Sequence, residues 1–81
     1  MTQETILAKV QEVFRAVFKN DSIVVTMETT ANDIEEWDSL THMQLITAEQ
    51  EAFGIKFKLR EILSWKNVGD MVRLIEERSG N

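Results

Sequence analysis

Apolar residues recur at helical spacing along most of this chain. The longest break in that spacing falls early, between residues 20 and 38. Ile6, Leu7, Val10, Val13, Phe14, Val17 and Phe18 form one stripe of a first helix, with Thr2 placed to cap it and Glu4 in its first turn. Asn20 and Asp21 end that helix near residue 19. The break itself mixes apolar Ile23, Val24, Val25 and Met27 with the turn and cap formers Thr26, Thr29, Thr30, Asn32 and Asp33. It reads as a long loop that Ile34 and Trp37 pin to the core. Loops of this length in small domains are usually functional or internally packed.

Helical spacing resumes at Asp38, an N-cap, with Ser39 in the first turn. Leu40, Met43, Ile46 and Phe53 share one broad side of this second helix, Leu45 and Ala52 a second flank, and Gly54 suits the left-handed residue that closes it. Ile55, Phe57 and Leu59 then alternate with Lys56, Lys58 and Arg60, as an extended crossing does. A short helical turn over about Leu59 to Ser64 follows. Asn67 caps a last helix with Asp70 at its third position, and Val68, Met71, Val72 and Ile75 make its inner stripe; Gly80 lies just past its end. The expected fold is all-α: a small bundle of three main helices and one short one, with a long first loop. The loop and the short helix, burying little, are expected to be its loosest parts.

At 81 residues the chain makes a single domain, residues 1–81. With 43% hydrophobic and 28% charged residues it has the balance of a folded chain rather than a disordered one. Cysteine is absent and His42 is the one histidine. This excludes a disulfide scaffold, a thiolate zinc site, a cysteine nucleophile and a two-histidine metal site within a monomer. No run is long enough for membrane insertion and the N-terminus lacks an export pattern, so a cytoplasmic monomer is expected.

The net charge of −5 is unevenly spread: no lysine or arginine lies between Lys19 and Lys56, a stretch that holds eight acidic residues. Such a block repels nucleic acid and attracts basic protein surfaces. Lys56, Lys58, Arg60 and Lys66 interleave with Phe57 and Trp65, which superficially suits nucleic acid. Against the acidic centre, they read better as a solvated basic rim over inward-packed aromatics.

The informative run is Asp33-Ile34-Glu35-Glu36-Trp37-Asp38-Ser39-Leu40. Its plain reading is ordinary capping. Yet a serine at a helix start, after a long loop, meets unpaired backbone amides and the positive end of the helix dipole, which suit a phosphate ester on its oxygen. His42, three residues on, is a helical neighbour of Ser39. A hydrolytic serine–histidine pair lacks an orienting acid and a cleft, so an exposed helix histidine is the expected reading.

Asp38-Ser39-Leu40, followed by Met43, Leu45, Ile46, Ala48, Glu51, Phe53 and the Ile55-Lys56-Phe57 crossing, resembles the acyl carrier protein motif and its following helix. The pattern runs without a gap from Ser39 to Ile75, and the order of helices covers nearly the whole chain. The resemblance implies a carrier, not an enzyme. Ser39 receives a covalent 4′-phosphopantetheine arm from a phosphopantetheinyl transferase, with Asp38 and Leu40 as part of the attachment site. The arm's thiol holds acyl groups as thioesters for acyl-loading and acyl-processing enzymes, and this cysteine-free chain has no thiol of its own. Leu40, Met43, Gln44, Glu51 and Phe57 are the implied docking surface, and Ile46, Thr47, Glu49, Ile62 and Trp65 the implied cargo pocket. The pathway, whether fatty acid, polyketide, lipid or surface-polysaccharide modification, or aminoacyl, stays open. Asp38 replaces the glycine usual in peptidyl carriers.

The departures are specific. Thr41, Gln44 and Gln50 stand where the family is often acidic, so docking leans on apolar contacts, and general service to a housekeeping fatty acid synthase is disfavoured. Glu49 and Thr47 stand at positions that are usually or often apolar and that flank the inter-helix space. An unpaired carboxylate there is costly beside a fatty chain, and the bulk of Trp65 narrows the same space. The expected cargo is therefore short or polar, or stays outside the bundle. The alternative function is a small helical interaction module without a prosthetic group.

Overall fold

The computed structural model describes residues 2–79, which hold four α-helices and no strand: α1 (Gln3–Phe18), α2 (Ser39–Phe53), α3 (Leu59–Ser64) and α4 (Val68–Ser79). The all-α reading and the order of elements agree with it; Gly80 lies outside the described residues. The long loop adds one feature unseen in the sequence, a single 3₁₀ turn over Ala31–Asp33.

The starts of α1, α2 and α4 and the end of α2 have local causes. The Thr2 hydroxyl accepts the Thr5 N–H at 3.2 Å. The Asp38 carboxylate opens α2, and Gly54 closes it in the left-handed region at φ 67°, which costs glycine nothing. At the end of α1 the same left-handed conformation falls on Lys19, at φ 54°, without glycine's freedom. Ahead of α4, the Asn67 side chain accepts the Asp70 N–H at 2.9 Å, while the Asp70 carboxylate accepts the Lys66 N–H at 2.8 Å. These reciprocal bonds satisfy donors that a helix start leaves free.

The core lies between α1, α4 and the inner face of α2. Ile6, Val10 and Phe14 of α1 and Val68, Met71, Val72 and Ile75 of α4 are fully buried, as their stripes require. The inner face of α2 differs from the expected one: it centres on Leu45, Ile46 and Glu49, while Leu40 and Met43 point outward. Ile55 and Phe57 pack against the core, but Leu59 is exposed, because it already belongs to α3 rather than to the extended crossing.

The first loop buries more than expected. Ile23, Val25, Thr29 and Ile34 are buried and Val24 is exposed, so the segment runs extended with alternate residues inward. Its backbone is also used. The carbonyls of Thr29 and Met27 accept the Val68 and Gly69 N–H groups at 2.8 and 2.7 Å, completing the start of α4. A β-carbon at Gly69 would meet the Met27 oxygen at 2.7 Å, so only glycine permits this approach. Arg15 Nε donates to the Ile23 carbonyl at 2.7 Å, and Gln11 accepts the Val25 N–H. The loop is therefore a packed part of the fold; of the two segments expected to be loose, only α3, with Ile62 as its one buried residue, buries little.

Candidate functional site: the start of α2 and its groove

Asp38 is extended and charged. Its Oδ1 accepts the Leu40 and Thr41 N–H groups at 3.0 and 2.9 Å, and the Thr41 bond is the main cause of a carboxyl pKa below the ordinary value. Thr41 completes the junction: its hydroxyl accepts the Asp38 N–H at 2.8 Å and donates to the Glu36 carbonyl at 2.8 Å. The Leu40 and Thr41 amides of this helix start are thus taken by the Asp38 cap. Ser39, the first helical residue, is exposed beside this finished cap.

Ser39 also stands on the edge of a groove of about 500 Å³ between α2, α3 and the start of α4. Trp37, His42, Ile62, Trp65 and Met71 line it, with Met43, Leu59 and Leu63 more exposed around it. Trp37, His42 and Trp65 form its aromatic wall, with Phe14 and Phe57 behind it: Phe14 meets Trp37 edge-on at 5.0 Å, Trp37 lies nearly coplanar beside His42 at 5.9 Å, His42 meets Trp65 at 6.2 Å, and Trp65 meets Phe57 at 5.1 Å between ring centres.

His42 is fixed by more than ring contacts. The Trp37 Nε1–H donates to its Nδ1 at 2.9 Å, and burial holds the imidazole pKa below its ordinary value. This geometry counts against the serine–histidine hydrolase. A general base needs an acid that accepts the Nδ1 proton and stabilises the imidazolium. Here Nδ1 meets an indole, which can only donate.

The residues expected to form a cargo pocket are separated. Ile62 and Trp65 line the groove. Ile46 and Glu49 are buried in the bundle and are not on its wall. Thr47 is exposed on another face, beside Gln50, Glu51 and Lys56, and its hydroxyl donates to the Met43 carbonyl at 3.1 Å. The reason is the turn of α2: Glu49, not Thr47, falls on the inward face with Leu45. Neither carboxyl oxygen of Glu49 has a hydrogen-bond partner, and burial raises its pKa well above the ordinary value.

Of the expected docking residues, Leu40, Met43, Gln44 and Glu51 are exposed on α2. Phe57 is half-buried behind Trp65, with its N–H donating to Gln50 Oε1 at 2.8 Å. Two large exposed residues were missed in the sequence: Leu59, read as part of a strand-like alternation, and Leu63, 74% exposed on α3. Helical spacing from Leu59 links the pair. The groove roles of Trp37 and Met71 were hidden behind their readings as core residues.

Known proteins resemble this chain in sequence and in fold. Residues 5–75 match the family described as "Phosphopantetheine attachment site". An acyl carrier protein of Streptococcus pyogenes serotype M3 is 36% identical over 74 residues, 91% of this chain and 96% of that protein. The meromycolate extension acyl carrier protein of Mycobacterium leprae is 26% identical over 77 residues, 95% of this chain and 67% of that protein. The solution structure of the holo acyl carrier protein from Geobacter metallireducens superposes with a TM-score of 0.87 at 47% identity, covering 93% of this chain and 86% of that one. The chain belongs to the acyl carrier protein family. Its members are carriers of a covalently attached 4′-phosphopantetheine, not enzymes, and they work with a phosphopantetheinyl transferase and acyl-processing enzymes. Among the described residues no helix is long and apolar enough to cross a membrane.

Proposed function

We propose that Ser39 carries the 4′-phosphopantetheine arm and that this protein presents acyl groups, held as thioesters on the arm's thiol, to partner enzymes of a specialised cytoplasmic fatty acid pathway. The observation that carries the assignment is the placement of Ser39. Its side chain is exposed at the first position of α2, against a finished cap and on the edge of an apolar groove. These residues fit the arm: an accessible hydroxyl for its phosphate and adjoining apolar walls for its length. In attachment, the Ser39 oxygen forms the new bond to phosphorus, coenzyme A releases 3′,5′-ADP, and the hydroxyl proton leaves to a base of the transferase. The arm supplies the thiol that a chain with no cysteine lacks.

The specialised pathway rests on the docking face. Thr41, Gln44 and Gln50 bring no charge to α2, whereas Leu40, Met43, Leu59 and Leu63 expose large apolar side chains around Ser39 and the groove. Partners that fit this face bind by apolar contact, with Glu51 and Asp38 as the acidic contribution and Phe57 stiffening the surface from behind. Of the expected pocket residues, Ile62 and Trp65 stand where cargo in the groove would touch them; a neutral Glu49 acid inside the bundle disfavours a long alkyl chain reaching past Ile46.

The test is intact mass after incubation with coenzyme A and a broad-specificity transferase. The wild type is expected to gain one phosphopantetheine and Ser39→Ala none. A wild type that stays unmodified with several transferases, or an equal gain in Ser39→Ala, overturns the assignment.

A further inference from the structure

The finished cap at Ser39 raises a question of chemistry. An arm on this oxygen begins beside the charged Asp38 carboxylate, which already holds the Leu40 and Thr41 amides. Those two amides are taken, and the groove adjoining Ser39 contains a further donor that is rigid. His42 is three residues past Ser39, so its side chain lies one turn along the same side of α2. Both residues line the groove.

The hydrogen bond from Trp37 settles which nitrogen of His42 carries the proton. An indole N–H can only donate, so Nδ1 is the acceptor and the proton of the neutral ring is on Nε2. The same bond leaves the indole and imidazole side by side and nearly coplanar, 24° from parallel, while Trp65 meets the imidazole edge-on. The ring is thus held in one tautomer and between two tryptophans. A donor ordered before its ligand arrives loses little entropy on binding it.

We propose that the His42 Nε2–H is a docking donor for the arm: it takes an acceptor oxygen of the arm, phosphate or amide carbonyl, and lays the arm into the groove against Trp65, with Trp37 as the positioning residue that fixes the donor. This inference rests on Ser39 being the attachment point. It predicts that the arm lies along the aromatic wall instead of swinging freely, and that partners receive cargo from a defined starting position.

The experiment uses ¹⁵N-labelled full-length chain, loaded from ¹³C,¹⁵N-labelled coenzyme A and checked by intact mass. Long-range ¹H–¹⁵N imidazole spectra of the unloaded protein are expected to show His42 protonated at Nε2 and accepting at Nδ1. On loading, the Nε2 proton is expected to move downfield, exchange with water roughly tenfold more slowly and give cross-peaks to arm protons. If the acceptor is phosphate, the ³¹P resonance differs between loaded wild type and loaded His42→Phe. If it is an amide carbonyl, the arm's carbonyl ¹³C resonance differs and ³¹P does not. Trp37→Phe keeps a ring in place but frees Nδ1; it is expected to mix the two tautomers and lose most of the slowed exchange. Should that variant fail to fold, His42→Phe and His42→Gln carry the test, since His42 is only half-buried. Loaded protein whose His42 signals match the unloaded form, and whose arm signals are unaffected by His42→Phe, overturns the inference while leaving the carrier assignment intact. Absence of any mass gain overturns the carrier assignment instead.

Discussion

The first turn of α2 and the middle of the same helix treat acidic side chains in opposite ways. At the start, Asp38 is exposed, accepts two backbone N–H groups and is held ionised by them. Farther along, Glu49 is fully buried, no group donates to its oxygens, and burial holds it in the protonated form well above the ordinary carboxylate range. The difference is one of solvent and partners, not of residue chemistry. A carboxylate at a helix start stabilises the helix through hydrogen bonds and the dipole. The same group in the inner stripe loses its water and gains nothing in return. α4 shows what α2 gives up: Val68, Met71, Val72 and Ile75 fill its inner stripe with no polar interruption.

The largest expected effect follows from this contrast. Glu49→Leu removes the unpartnered acid and is expected to stabilise the fold by about 1–3 kcal/mol, the usual cost of a buried unsatisfied group. In a domain of this size each 1 kcal/mol moves the melting temperature by roughly 4–8 °C. Urea denaturation at neutral pH measures it, as a higher midpoint at unchanged slope. Glu49→Gln is expected to fall between the two, since its amide stays unpaired but cannot ionise. A destabilised Glu49→Leu would mean that the carboxyl has a partner in solution, and the contrast with Asp38 would fail.

The pH dependence carries the same sign argument. The pKa of Glu49 is raised on folding, so its favourable contribution is complete below the ordinary value of 4.5 and is lost as pH rises from there through the raised value. For Asp38 the pKa is lowered, so its contribution is complete above the ordinary value of 3.8 and is lost as pH falls through the lowered value. Wild-type stability should therefore decline from mildly acidic toward neutral pH, and Glu49→Leu and Glu49→Gln should flatten that decline while leaving the acid limb unchanged.

What the sequence disclosed follows the range of the forces involved. Thr2, Asp38, Gly54 and Asn67 announced helix ends because capping acts within three or four residues, and the stripes of α1 and α4 announced their burial because nothing polar interrupts them. α2 misled because it has apolar residues on two faces. Periodicity alone grouped Leu40 and Met43 with Ile46, whereas packing against α1 turned Leu45 and Glu49 inward and left Leu40 and Met43 in solvent. The serine and its cap were legible as a candidate site. The Trp37–His42 bond was not, because it depends on how the end of the loop folds back over the helix it precedes. The carbonyls that Met27 and Thr29 lend to α4 were hidden for the same reason: they join segments some forty residues apart in sequence.

A smaller effect is expected at the start of the helix. Asp38→Ala leaves the Leu40 and Thr41 amides without their acceptor, so it should lower the urea midpoint by less than Glu49→Leu raises it and speed amide exchange in the first turn of α2. Asp38→Asn keeps an acceptor oxygen and should restore most of the loss. Because asparagine does not ionise, the acid limb should lose the share that Asp38 contributes, while the shares of Glu36, Glu61 and Asp70, whose hydrogen bonds also hold them below their ordinary values, and the decline assigned to Glu49 persist. A loss in Asp38→Asn as large as in Asp38→Ala would show that charge, not the hydrogen bonds, does the stabilising.

The smallest effect belongs to Thr47, two residues before Glu49 and on the outside of the same helix. Its hydroxyl donates back to the Met43 carbonyl one turn earlier, a bond that adds little because the carbonyl already lies within the helix. Alanine has the higher helix propensity, so Thr47→Ala should stay within about 0.5 kcal/mol of the wild type, on the stabilising side. The groove does not include Thr47, so the variant should also leave the His42 and arm resonances where they are. A change of more than 1 kcal/mol, or a shift of those resonances, would place Thr47 against the interior. The inward face of α2 would then be wider than Leu45, Ile46 and Glu49, and the burial that separates Glu49 from Asp38 would have to be assigned again.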